Sequence, residues 1–380
     1  MDSLAFRACV DGLADRAKQA GISAEVVDTS LDGVELKERV IELDRGQPEF
    51  VTTFADYFQR RVTEHRVERG RELLREHRRL LERVYRDYGV PPRYLVAFWG
   101  METNYGSYFG RMPVIDSLVT LACDERRSEF FSKQLVAALR IIDEGAISPR
   151  RMEGSWAGAM GHVQFMPSVF LRYAVDYDGD GRRDLWGSLP DAMASAANYL
   201  SAIGWETGWR WGREVRLPDG FPYETVGRDQ QRSISEWRDF GVMDAYGRRL
   251  PAGNTRASLL VPSGHEGPAF LVYPNFDIIM EWNRSQFYAL SVGRMADRLA
   301  GASTLVQSLP NGPRLRREEV AALQQRLSEK GYHSGPADGI PGPVTRKAIQ
   351  RFQQENGMVA DGYPSPAVMA ELSMQVAEAQ

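Results

Sequence analysis

Glu102 has the setting in which a carboxyl group can do acid–base chemistry. It follows Phe98-Trp99-Gly100-Met101 and precedes Thr103-Asn104-Tyr105-Gly106. A carboxyl at the end of an apolar helix, beside aromatic rings, is partly removed from water, which disfavours its charged form. That is what a general acid working near neutral pH requires, and cleavage of a glycosidic bond needs such an acid on the leaving oxygen. The competing reading is a helix-terminal Glu held by an Arg or a backbone group.

A second constellation is the run Asp176-Tyr177-Asp178-Gly179-Asp180-Gly181-Arg182-Arg183-Asp184. It follows the D-x-D-x-D-G pattern in which alternating carboxylates converge on a hard cation and a glycine permits the sharp turn. Asp176, Asp178 and Asp180 are the expected side-chain ligands to calcium, and Arg182 offers its backbone carbonyl. Position twelve is Gly187 and not the usual bidentate Glu. An acidic surface turn is the alternative.

The elements that must position these groups follow from periodicity. One long helix is predicted from Arg60 to Tyr88, stopped by Gly89. Pro91-Pro92 then opens a helix from Arg93 to about Thr103, apolar nearly all round and therefore buried. Further helices are predicted over Ser128–Glu144, Pro167–Val175, Asp191–Ile203 and Arg284–Leu299. Residues 1–60 alternate short helices with extended pieces, such as Glu35 to Leu43. After Trp205 short β-leaning runs appear (Glu214–Leu217, Ser258–Val261, Phe270–Tyr273), bounded by Gly, Pro and Asn. Residues 301–313 read as a linker, and a compact helical unit follows.

The chain has 380 residues, enough for two or three structural units, with 43% hydrophobic and 26% charged residues. A net charge of −4 argues against a nucleic-acid binder, and no apolar run is long enough to span a bilayer. Cys9 and Cys123 can form one bridge in an oxidising compartment or stand as two small apolar residues. The five His show no metal-ligand spacing, and His162 reads as a structural or rim residue. The amino terminus has no basic segment followed by an apolar run, so no secretory leader is expected within this chain.

Three separated runs, in order, resemble the lytic murein transglycosylase B family: GVPPRYLVAFWGMETNYG (89–106), SWAGAMGHVQFMPS (155–168) and YPNFDIIMEWNRSQFYALSVGRMAD (273–297). The likeness covers roughly residues 5 to 300 and is far more specific than any one short motif. It implies a mainly α (α+β) fold: a lysozyme-like helical catalytic region over 1–300, with a small inserted β-containing lobe at about 205–282. It implies cleavage of the β-1,4 bond between N-acetylmuramic acid and N-acetylglucosamine without water, giving 1,6-anhydromuramoyl ends, with Glu102 as acid and then base. An internal nucleophile removes the need for a second carboxylate, and neither Asp116 nor Asp124 stands out as one. Ser155, Gln164, Arg127, Tyr199, Asn283 and Tyr288 match substrate-groove positions. Trp156 and Trp282 stand where the family's best-known form has Tyr. Asp191 matches a carboxylate that completes the metal loop over 176–191, so a structural calcium ion is expected while the chemistry itself requires no cofactor.

After a linker at 301–314, residues 315–375 resemble a three-helix peptidoglycan-binding domain through Leu323-Gln324, Gly331-Tyr332, Asp338-Gly339 and Thr345 to Gln353. Ile340-Pro341-Gly342 replaces the usual Phe-Gly after the Asp-Gly turn. The expected partners are peptidoglycan strands, with other cell-wall enzymes as candidates and no nucleic acid. A periplasmic monomer, its signal or lipid-anchor segment outside this chain, is expected. A hydrolytic muramidase and a non-catalytic wall-binding scaffold are the alternatives.

Overall fold

Prolines, glycines and hydroxyl side chains set most helix boundaries in this protein. In the computed structural model, residues 2–46 and 52–378 are described. Helices α1 (Ser3–Gln19), α2 (Ala24–Leu31), α3 (Glu38–Gly46), α4 (Phe54–Arg61), α5 (Glu64–Glu76), α6 (Arg78–Tyr88) and α7 (Pro92–Thr103) come first. Then follow β1 (Met112–Pro113), α8 (Val114–Cys123), α9 (Ser128–Asp143), β2 (Glu153–Gly154), α10 (Pro167–Tyr173) and α11 (Leu189–Ala202). The β-rich stretch holds β3 (Gly212–Arg216), β4 (Gly227–Ser233), α12 (Ile234–Asp239), β5 (Met243–Asp244), β6 (Arg256–Leu260) and β7 (Ala269–Val272). The chain closes with α13 (Pro274–Trp282), α14 (Gln286–Leu299), α15 (Arg317–Glu329), α16 (Pro343–Glu355) and α17 (Pro366–Glu378).

Two sequence expectations change. The single helix over 60–88 is three helices, because Thr63 leaves helical geometry and its hydroxyl caps Arg66 N–H, and His77 (φ −99°, ψ 19°) interrupts the next turn. The stretch Glu35–Leu43 is not extended: Glu38–Gly46 is helical, with Val40 and Asp44 buried on one face. Residues 47–51 of the region expected to alternate lie outside the described residues.

The chain forms two compact units. The first comprises residues 1–47, 63–207 and 294–300. Its centre is α7, where Tyr94, Leu95, Val96, Ala97 and Phe98 are all fully buried. Each large side chain there contributes about 1.5–3 kcal/mol through the water it sheds. Arg71 in α5 donates through Nε and Nη2 to the Arg298 carbonyl, tying the end of α14 to this unit. Cys9 in α1 and Cys123 at the end of α8 are joined in a disulfide, which settles the open choice between a bridge and free thiols.

The second unit comprises residues 48–62, 208–293 and 301–380. Its five-stranded antiparallel sheet has the order β4-β6-β7-β3-β5, packed around Val215, Phe221, Trp237, Leu259 and Leu271. Three of these strands were legible as apolar runs. Strand β4, GRDQQRS, was not, because it is an edge strand with its side chains largely in water. Helices α15–α17 close over Leu323, Leu327, Ile349, Phe352, Val368 and Leu372.

The segment read as a linker is fixed within this second unit. The N–H groups of Val306 and Gln307 donate to the buried Glu214 carboxylate at 2.8–3.1 Å. The helical module is also held against the sheet lobe. His265 donates its backbone N–H to Asp361 at 2.9 Å and sets its ring nitrogen 2.6 Å from the same oxygen. Gln350 donates to the Tyr223 carbonyl, and Lys347 pairs with Asp229, each at 2.8 Å.

Two measurements check these ties. Replacing both cysteines by Ser is expected to cost about 4 kcal/mol in denaturant unfolding under non-reducing conditions, since the bridge closes a loop of more than a hundred residues. The hydrogen bond to Asp361 raises the His265 pKa, so the clasp stabilises fully below the unfolded value of about 6.5 and fades as pH rises through the folded value. Burial pushes the Asp361 carboxyl up but its hydrogen bonds, His265 first, bring it below the usual range, so that contribution persists until acid well below pH 4. The stability gap between wild type and His265→Ala should therefore be widest at about pH 5–6 and shrink at alkaline pH.

Candidate active site

Glu102 lies in the last turn of α7, partly buried between fully sheltered Met101 and Thr103. Beyond it the backbone turns through three consecutive left-handed residues, Asn104 (φ 48°), Tyr105 (φ 62°) and Gly106 (φ 77°). Two of them are not glycine, so the turn is held by its surroundings. Tyr105 folds its ring back onto the helix, where a β-carbon on Gly100 would stand 2.7 Å from it. Its hydroxyl donates to the Arg66 carbonyl at 2.7 Å. Burial raises the Tyr105 pKa, keeping the phenol neutral and a donor.

The segment 154–165 is fastened to this turn. The Thr103 hydroxyl donates to the His162 carbonyl at 2.9 Å and accepts from Gly106 N–H at 3.0 Å. The Trp99 indole N–H donates to His162 Nδ1 at 2.9 Å. Burial lowers the His162 pKa to about 4, so the ring is neutral at pH 7 and its Nδ1 can accept. His162 is thus a structural pin, one of the two roles, structural or rim, that the sequence left open. The antiparallel pair β1–β2, with Met112 opposite Gly154, closes the other end of the segment.

Ser155 accepts at Oγ from the N–H groups of Ala157 and Ala159, at 3.3 and 3.1 Å. Its own hydroxyl proton is therefore the group available to donate. Gln164 sits in left-handed geometry (φ 49°) and donates both amide hydrogens inward, to the Phe109 and Gly161 carbonyls at 3.1 and 3.0 Å. Its Oε1 remains as an acceptor for a ligand. Tyr199, on α11, has its ring 5.6 Å from Phe165 and 4.7 Å from Tyr173, against the same segment.

The remaining sequence candidates have other settings. Arg127 pairs with the buried Asp44, as does Arg126, and its guanidinium lies over the Phe131 ring. Nothing in the sequence signalled Asp44, which comes from α3 some eighty positions away. Asn283 and Tyr288 belong to the second unit. Asn283 accepts from Ser285 N–H at 3.0 Å, and Tyr288 is buried in α14. Asp116 accepts from Glu35 N–H, and Asp124 pairs with Arg45, so both downstream carboxylates serve the fold.

In the acidic loop, Asp176, Asp178 and Asp191 bring carboxylate oxygens within 4.8 Å of one another. Asp191, fully buried at the start of α11, accepts N–H bonds from Tyr177, Asp178 and Asp184. Burial raises its pKa, the imbalance that a bound cation relieves. Three converging hard oxygen donors fit calcium. Asp180 and Arg182 are in the same loop but outside this cluster, with Asp180 accepting from Arg182 N–H. Tyr177 fastens the loop to α6 through a 2.5 Å bond to Asp87.

Residues 5–297 match the family model described as the transglycosylase SLT domain, and residues 316–372 match that of a peptidoglycan binding domain. The membrane-bound lytic murein transglycosylase B of Escherichia coli is 35% identical over 254 residues, 64% of this chain and 66% of that one. The chain thus spans about two thirds of that relative's length. The crystal structure of SltB3 from Pseudomonas aeruginosa in complex with NAG-anhNAM-pentapeptide superposes with a TM-score of 0.93 at 45% identity, covering 97% of this chain and 99% of that one. The Escherichia coli lytic transglycosylase Slt35 in complex with calcium gives a TM-score of 0.66 at 30% identity, covering 77% and 92%. With the family model spanning most of its length and the helical fold shared throughout, the chain belongs to the lytic transglycosylase family defined by the SLT domain.

Proposed function

We propose that this protein cleaves the β-1,4 bond between N-acetylmuramic acid and N-acetylglucosamine with Glu102 as its single acid–base group. The observation that carries this reading is the placement of Glu102: a carboxyl at the exit of a buried helix, in a backbone turn that Thr103 and His162 fasten to the segment carrying Ser155 and Gln164. Protonated Glu102 gives its proton to the bridging oxygen as the bond to the anomeric carbon breaks. The resulting carboxylate takes the proton of the muramoyl C6 hydroxyl, whose oxygen closes on the anomeric carbon. No water is consumed, and the product carries a 1,6-anhydro ring. The tethered nucleophile has a high effective concentration, so no second carboxylate is needed. The anhNAM-containing ligand of the SltB3 complex supports this product.

The Ser155 hydroxyl and Gln164 Oε1 are the groups that would hold acetamido and hydroxyl substituents. Arg127, Tyr199, Asn283 and Tyr288 are proposed as further groove contacts. Asp176, Asp178 and Asp191 would hold a structural calcium ion, with Asp180 and the Arg182 carbonyl as further donors from the same loop. The ion would neutralise their charge and fix the segment between Gln164 and α11. Residues 315–375 would keep the enzyme on the cell wall and raise the local glycan concentration. A periplasmic setting is supported by the disulfide, which persists in oxidising compartments.

Mass spectrometry of digested peptidoglycan should give muropeptides ending in 1,6-anhydromuramic acid with the wild type. Glu102→Gln should slow their release by about 10³-fold while leaving the thermal midpoint near that of the wild type. Reducing ends in their place would make the protein a hydrolase. Calcium added after chelator treatment should raise the melting temperature in proportion to the logarithm of its concentration, and Asp191→Asn should abolish that response.

A further inference from the structure

The turn that carries Glu102 also projects an aromatic ring into solvent. The Tyr108 side chain is 59% exposed, yet the backbone that carries it is tied down. Its N–H donates to the Thr103 carbonyl at 3.2 Å, which puts it against the residue next to Glu102. The following residue, Phe109, gives its carbonyl to Gln164 and packs its ring edge-on to His162 at 4.7 Å. Gly110 lies flat against the Gly154 carbonyl, where a β-carbon would stand only 2.0 Å away. Three left-handed residues precede this stretch.

The backbone from 103 to 110 is therefore tied down at both ends and in the middle, while one large ring stays in water. Burying that ring would gain free energy that the fold forgoes. Its only hydrogen-bonding atom is a phenol, and no charged group pairs with it among the described residues. With the backbone beneath it already fixed, binding to this ring costs ordering of the side chain alone. It offers a flat apolar face to the axial C–H bonds of a pyranose ring and a hydroxyl to the ring's substituents.

We propose that Tyr108 is a stacking platform for one sugar of the glycan strand, adjacent to the bond on which Glu102 acts, and that it determines how tightly that sugar is held. The inference rests on the assignment of Glu102 and adds a binding residue to it. Tyr108 takes no part in proton transfer. Its removal should weaken binding and leave the chemical step intact.

The test measures both. With purified glycan strands, Tyr108→Ala should raise KM about tenfold with kcat within about twofold, and Tyr108→Trp or Tyr108→Phe should restore KM. In the Glu102→Gln background, calorimetric titration with tetra-N-acetylchitotetraose should show the same loss of affinity on adding Tyr108→Ala. Unchanged KM and affinity in Tyr108→Ala would overturn the proposal. So would a loss that neither aromatic replacement restores, because it would mark Tyr108 as a structural residue, and so would a parent protein that fails to bind the oligosaccharide. Full turnover by Glu102→Gln would instead overturn the assignment of the acid, and the binding data on Tyr108 would stand apart from it.

Discussion

Helix α7 has to be buried on every side and yet deliver a carboxylate to solvent at its last turn. The first requirement is met by an uninterrupted apolar run from Tyr94 to Trp99. The second is met because the helix ends at Thr103, one residue past Glu102, and the chain turns away at Asn104. Asn104 takes the left-handed capping geometry that Asn tolerates, but Tyr105 adopts left-handed geometry that a bulky aromatic does not favour. The strain is offset by the Tyr105 ring seated on Gly100, by its bond to the Arg66 carbonyl and by the Thr103 hydroxyl held between His162 and Gly106. The rest of the site depends on this exit.

The segment 154–165 shows how far that dependence reaches. It is irregular, so its polar backbone needs partners other than a regular ladder. Ser155 supplies one by accepting two N–H bonds, Gln164 supplies two by donating to carbonyls, and His162 ties the segment to both Trp99 and Thr103. The side chains proposed to read the substrate are therefore also those that hold the backbone. Each keeps one unused hydrogen-bonding function, the Ser155 proton and the Gln164 carbonyl. Fixing a ligand group through the unused half of an engaged side chain lowers the entropy lost on binding.

The second unit solves a different problem, that of attaching a three-helix module of about sixty residues. A module that small is marginal alone. Here the preceding segment is bonded to buried Glu214, and the module's Asp361 receives both the backbone and the ring of His265. The module is consequently clasped to the sheet lobe and does not hang on a free tether.

Much of this was legible in the sequence because it rests on local chemistry. The apolar helix with its terminal Glu, the D-x-D-x-D-G loop, the Asp-Gly and Pro-Gly punctuation of the last module and three apolar strands each leave a pattern within about twenty residues. Long-range pairing leaves none. Asp44 under Arg126 and Arg127, the Cys9–Cys123 bridge, Glu214 beneath residues 306 and 307, and His265 on Asp361 join positions 82 to 114 apart. Strand β4 is equally silent, since an edge strand with its side chains in water needs no apolar alternation. The break at His77 and the helix at 38–46 were decided by which residues found a core to bury, which only packing can choose. Sequence alone thus determined which groups could carry the chemistry, because residue type and local spacing encode it. Tertiary structure decided which of those groups are spent on holding the fold and which keep a donor or acceptor free, because that depends on partners the chain brings from far away.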